Sequence, residues 1–177
     1  MKATRPTKLL HTTLWLTGLP CSGKTTLSKK LKAKLDKRGF KVVCLDADDV
    51  RGKLNSDLGF SKADRMENLR RVAHVAKLFN DNGSFVIASF VSPLEENRKL
   101  VRKIIDNLKL VFIKCSLQTC EQRDVKGMYK KARAGQLPEF TGVSAVFQEP
   151  ADADIVVDTE HLDVDACVSK ILDEIVA

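Results

Sequence analysis

The chain predicts an α/β fold on a mostly parallel five-stranded sheet. Three observations carry this. Apolar runs of strand length alternate with helix-periodic segments along the whole chain. The first such run leads straight into a glycine-rich loop that opens an amphipathic helix. The 177 residues, 44% hydrophobic and 30% charged, suffice to bury the core such a sheet needs, and they read as one domain over 1–177.

Each element has its own signal. Residues 14–17 (LWLT) form a short apolar run ending at the glycine loop, a buried strand. Residues 24–38 carry Leu27, Leu31 and Leu35 at i, i+4 and i+8, a helix stopped by Gly39. Residues 41–46 (KVVCLD) give a second strand. A helix over 61–80 follows, with Leu69, Val72, Ala73, Ala76 and Phe79 on one face, and Asn82-Gly83 turns the chain. Residues 84–90 form a third strand, and Pro93 starts another helix. Residues 108–115 and 153–159 are the fourth and fifth strands, and 163–176 is a closing helix. Right-handed crossovers join strands in this order. Residues 124–142 interrupt it with three glycines, a proline and two Lys-rich turns, and read as a mobile lid on the surface. Residues 1–8 read as a frayed lead-in.

Composition narrows the class. The apolar runs are too short to span a membrane, and the basic start lacks the apolar core of a secretory signal. Cys21, Cys44, Cys115, Cys120 and Cys167 show no metal-ligand spacing and read as free thiols in a reducing cytoplasm, with Cys44 and Cys115 buried in strands. The net charge of +7 is uneven: residues 1–45 hold eleven Lys/Arg against Asp36, and 139–177 hold ten acids against Lys170. A solvated basic helix face plus an anionic small-molecule site accounts for this. No aromatic-interleaved nucleic-acid motif accompanies it, so a nucleic-acid partner is not expected.

Residues 17–26 (TGLPCSGKTT) contain Gly18-x-x-x-x-Gly23-Lys24-Thr25, the phosphate-gripping G-x-x-x-x-G-K-[ST] pattern between a strand and a helix. Glycines let backbone N–H groups curl around phosphates, and the helix N-terminus adds positive potential. Lys24 is expected at the β- and γ-phosphates and Thr25 on Mg²⁺, with Gly18, Pro20, Cys21, Ser22, Gly23 and Thr26 completing the ATP contacts. No guanine-reading N-K-x-D occurs, and the chain is too short for a motor or helicase core. A P-loop kinase acting on a nucleotide or metabolite fits best.

The second strand ends in LDADDVR (45–51). Ligands sit outside the carboxyl ends of parallel strands, so Asp46 and Asp48 arrive where an acceptor would lie. One carboxylate can take the proton of an attacking hydroxyl and another can order metal-bound water. Asp48-Asp49 also suits a helix N-cap, and both uses can coexist. Further on, Arg65, Asn68 and Arg71 share one helical side. Arginine forks suit phosphate or sulfate oxygens, and the same spacing describes a solvated face.

The segments GLPCSGKTT, LDADDVRGKLNSDLGFSKADRMENLRR, AKLFNDNG, SFVSP, RDVKGMYKKARAG and FTG, in this order, closely resemble adenylylsulfate kinases from about residue 12 to the final helix. These enzymes use MgATP to phosphorylate the 3′-hydroxyl of adenosine 5′-phosphosulfate (APS). The resemblance implies that Asp48 polarises that hydroxyl, and that Arg51, Arg65 and Asn68 hold the phosphosulfate and sugar. It implies that Phe60 and Phe140 wall the acceptor adenine, that Val91 and Thr141 line the same site, and that Ser92 faces the transferring phosphate as a catalytic residue. Arg123 and Lys126 would contact nucleotide and phosphate at the lid entrance, and a cytoplasmic homodimer is expected. The chain departs from the family pattern at Ala47 and Asp49, where Gly and Asn are usual. It departs again after Pro93, where LEEN replaces an aromatic and an arginine, and VSAVFQEP (143–150) matches loosely. These departures lie on the acceptor side. They motivate an alternative acceptor, such as a nucleoside diphosphoramidate. A catalytically idle nucleotide-sensing or nucleic-acid-binding module is the other alternative.

Overall fold

A computed structural model describes residues 11–176. The lead-in at 1–8 lies outside the described residues. Five strands, β1 (Thr13–Thr17), β2 (Val42–Asp46), β3 (Phe85–Ser89), β4 (Leu108–Lys114) and β5 (Ile155–Asp158), make one sheet in the order β2-β3-β1-β4-β5. All four pairings are parallel. The carboxyl ends Thr17, Asp46, Ser89, Lys114 and Asp158 therefore share one edge.

Side chains alternate across each strand. On β1, Leu14 and Leu16 face the layer of α1 (Lys24–Lys37) and α7 (Val164–Val176), where they meet Leu27, Leu31, Leu35, Val168 and Ile171. Trp15 faces the opposite layer of α3 (Lys62–Asp81) and α4 (Glu95–Ile104), among Val72, Ala73, Ala76, Val101 and Leu110. The Leu27/Leu31/Leu35 stripe expected from spacing is thus the buried face of α1. Burying each such side chain contributes about 1.5–3 kcal/mol before chain entropy is counted.

Three helices went unread in the sequence: α2 (Ala47–Gly52), α5 (Leu117–Gln122) and α6 (Met128–Arg133). Each has six residues, under two turns, too short for a 3.6-residue period to register. The helix expected from Pro93 begins two residues later, because Leu94 is its cap and Asn97 Oδ1 accepts from Leu94 N at 3.1 Å. Cys44, expected buried, is exposed because β2 is an edge strand, and Cys115 is half-buried. Residues 124–142 have more packing than their composition suggests: Tyr129 on α6 is 2% exposed and Ala132 is also buried.

Candidate active site

The phosphate loop leaves β1 at Gly18, where φ is 154°. A Cβ there would sit 2.6 Å from the Ile113 carbonyl oxygen, so only glycine lets the loop start this close to β4. Ser22 N donates to Leu19 O at 3.2 Å and closes the turn. Gly23, with φ 100°, precedes α1, which has neither a side-chain cap nor an acid in its first turn. The first amides of α1 are left for an anion. Lys24 Nζ donates to Gly18 O at 2.9 Å and Leu19 O at 2.6 Å, which lays the ammonium across the loop. Burial pushes its pKa down to about 8.

Neighbouring elements brace this loop. Tyr129 Oη donates to Pro20 O at 3.0 Å. Cys21 holds a left-handed φ of 61° with its thiol toward Asp124, whose carboxylate also accepts from Met128 N at 2.9 Å and Tyr129 N at 2.7 Å. Thr159 Oγ1 donates to Ser22 O at 2.9 Å, and Arg123 Nη2 donates to Thr159 O at 2.8 Å. Arg123 thus lies at the flank of the loop beside the end of β5. Thr26 is exposed on α1.

Thr25 Oγ1 donates to Asp46 Oδ2 at 2.9 Å. This is an all-oxygen pair suited to a hard divalent cation. Among the described residues no group of three or more His, Cys, Asp or Glu could hold a metal alone. The donor set fits an ion that arrives with a nucleotide and takes its remaining ligands from phosphate and water.

Asp46 also caps α2, accepting from Asp48 N at 3.1 Å. The cap is Asp46, rather than the Asp48-Asp49 pair, and that leaves the Asp48 carboxylate pointing out of the turn. Asp48 is exposed and ion-paired to Lys126, whose pKa this contact raises. Arg51 Nη1 donates to Gly59 O at 2.8 Å. Arg65 Nε donates to Phe60 O and its Nη2 to Glu139 O, both at 2.8 Å, so one guanidinium ties the loop bearing Phe60 to the loop bearing Phe140. Arg51 and Arg65 lie 4.5 and 5.6 Å from the Phe60 ring centroid. Burial lowers the pKa of both, and Arg65 lowers that of Arg51 further. Neither makes an ion pair among the described residues, in contrast to Arg71, which Asp57 and Glu67 neutralise. Phe60 is 60% exposed, and Phe140 is half-buried edge-on to Tyr129 at 5.0 Å.

Other expected residues sit differently. Ser92, expected to face a phosphate, is 2% exposed, and its hydroxyl accepts from Trp15 Nε1 at 2.9 Å. The side chain is turned into the core by a partner on β1. Asn68 is buried and accepts from Asn55 Nδ2 at 3.0 Å, so it supports the turn before α3 from inside. The Val91 carbonyl accepts from Thr17 Oγ1 at 2.6 Å. Thr141 is buried beside a bridge to Ala145. The acidic departures are neutral locally: Asp49 pairs with Lys53 at 3.3 Å and Glu95 with Lys99 at 2.6 Å. Sequence reasoning missed Trp15, Arg98, Asp124, Tyr129 and Gln148. An aspartate ahead of a Gly-Met-Tyr segment was the one legible cue, as a helix cap.

The loop between β1 and α1, on a parallel sheet covered on both faces, defines the P-loop kinase class. A family model described as adenylylsulphate kinase matches residues 10–158. The adenylyl-sulfate kinase of Geotalea uraniireducens is 48% identical over 161 residues, 90% of this chain and 77% of that one. Among solved structures, the Mycobacterium tuberculosis APS kinase in complex with AMPPNP and APS aligns with a TM-score of 0.91 at 40% identity, covering 94% of this chain and 98% of that one. The hexameric APS kinase from Thiobacillus denitrificans gives 0.72 at 28% identity, covering 97% of this chain and 30% of that one. The chain belongs to the adenylylsulphate kinase family.

Proposed function

We propose that the protein transfers the γ-phosphoryl group of ATP to the 3′-hydroxyl of APS, giving ADP and 3′-phosphoadenosine 5′-phosphosulfate. One observation carries the reading. Two guanidiniums that make no ion pair among the described residues flank an exposed ring (Arg51, Arg65, Phe60) at the same sheet edge as a phosphate loop, and Asp48, paired with Lys126, follows β2 at that edge. Paired arginines suit a phosphosulfate, and an open phenyl face suits a purine.

In this reading the amides of the loop and Lys24 bind the ATP phosphates. Thr25, and Asp46 through water, would hold Mg²⁺, which when bound neutralises charge on the β- and γ-phosphates. Asp48 accepts the proton of the attacking 3′-hydroxyl, and Lys126 is released from Asp48 to the transferring phosphate. Arg65 holds both aromatic loops, so Phe60 and Phe140 can take opposite faces of one adenine. Residues 124–142 close over both nucleotides about Gly127 and Gly135, whose φ values of 65° and 72° allow a hinge. Arg123 flanks the ATP side. The local neutralisation of Asp49 and Glu95 supports APS over a differently charged acceptor.

A homodimer belongs to this reading and is testable by light scattering; the hexameric relative supports self-association without fixing the number of copies. A cytoplasmic setting also belongs to it, supported by five free thiols. Among the described residues no helix is long and apolar enough to cross a membrane.

The test is ADP release against a panel of acceptors that includes APS and a nucleoside diphosphoramidate. APS alone should accelerate it. Acceleration by another nucleotide reassigns the acceptor, and none by any acceptor leaves an idle module. Asp48→Ala should keep ATP binding while transfer falls about 10²–10⁴-fold.

A further inference from the structure

The loop after β3 carries a set of polar contacts that the reaction above leaves unused. β3 lies between β2 and β1 in the sheet. Its following loop therefore sits between the helix of Asp48 and the phosphate loop, the two halves of the transfer. At its apex Ser92 has a φ of 43°, a left-handed conformation that is strained for a residue with a Cβ.

Three side chains from two elements, β1 and α4, hold it there. Trp15 Nε1 on β1 donates to Ser92 Oγ at 2.9 Å, and the indole stacks on Phe90 at 5.4 Å. Arg98 on α4, itself 2% exposed, donates from Nη1 to Ser92 O at 3.0 Å. Thr17, two residues beyond Trp15 and next to Gly18, donates to Val91 O at 2.6 Å. On the other side, Gln148 N donates to Pro93 O and Gln148 Oε1 accepts from Glu95 N, both at 2.8 Å. The strand that delivers the phosphate loop thus also grips the loop beside the acceptor.

We propose that Trp15 is a positioning residue: its indole N–H fixes Ser92, and through it the main chain of residues 91–93, against the transfer site. The proposal rests on the transfer reaction proposed above.

The experiment is a double-mutant cycle of Trp15→Phe and Ser92→Ala. It is read by two-substrate kinetics, by urea denaturation and by the indole N–H resonance, which is single because Trp15 is the chain's one tryptophan. Trp15→Phe keeps the stack and loses the donor. It should lower kcat/KM for APS about five- to tenfold and leave the ATP KM unchanged. Ser92→Ala leaves a buried N–H without an acceptor and should cost more, about 10–100-fold, with the resonance displaced. The double variant, with no orphaned group, should return to within a few-fold of Trp15→Phe. Loss of transfer in Ser92→Ala that Trp15→Phe does not relieve would overturn the proposal, since the hydroxyl would then act on substrate. So would label on Ser92 after incubation with γ-labelled ATP, an unmoved indole resonance in Ser92→Ala, or additive urea midpoints. If the unaltered protein fails to release ADP with APS, the transfer reading falls, and the resonance and denaturation cycle still decide the anchor.

Discussion

Lys24 gives the protein a pH signature that can be worked out in advance. Burial holds the free ammonium at about 8, against an ordinary value of 10.5. A bound triphosphate favours the charged form and returns the pKa at least to that ordinary value. Free Lys24 is then about nine-tenths charged at pH 7 and about one-tenth charged at pH 9. Nucleotide affinity should fall about tenfold over that interval, or about 1.4 kcal/mol. Binding should take up about half a proton at pH 8 and about 0.9 at pH 9. The sign is fixed: a base whose pKa rises on binding gains protons, so affinity drops as pH climbs. Phosphate's own last ionisation lies lower, near 6, and does not contribute. Titration calorimetry with Mg²⁺ and a non-hydrolysable ATP analogue, in buffers of different ionisation enthalpy, measures the uptake. Lys24→Arg should bind more weakly with a flat pH profile. A flat profile with no proton uptake in the unaltered protein, or equal uptake in Lys24→Arg, would refute the reasoning.

Gly18→Ala places a methyl 2.6 Å from Ile113 O and should cost about 1–3 kcal/mol of stability along with ATP binding; a melt unchanged from the native protein would count against this loop geometry. Phe140→Ala loses its edge-on contact with Tyr129, about 0.5–1.5 kcal/mol, well below the about 3–5 kcal/mol of a core phenylalanine. It should raise the APS KM about five- to two-hundredfold with the ATP KM unaltered, and a large fall in melting temperature with normal KM would make it a core residue. Hydrogen exchange over 124–142 should slow when ADP and APS are both present; equal exchange with and without them removes the closure.

The sequence by itself determined the α/β class, all five strands, the long helices and the phosphate loop. Those signals are local: Leu27, Leu31 and Leu35 lie within nine residues, and Gly18 to Thr25 within eight. It also proposed Asp48, Arg51, Phe60 and Arg65, because a strand end and a resemblance point to them. Only the tertiary structure decided who meets whom. The Lys126–Asp48 pair spans 78 positions, the Arg65–Glu139 bond 74 and the Trp15–Ser92 bond 77. Ser92 shows the limit most clearly. A serine before a proline reads the same whether its hydroxyl faces a phosphate or an indole. The strand order β2-β3-β1 sets Trp15 beneath the loop, and a buried N–H must find an acceptor. Crossover connections fix that order through packing across the whole sheet, which no local period in the sequence encodes.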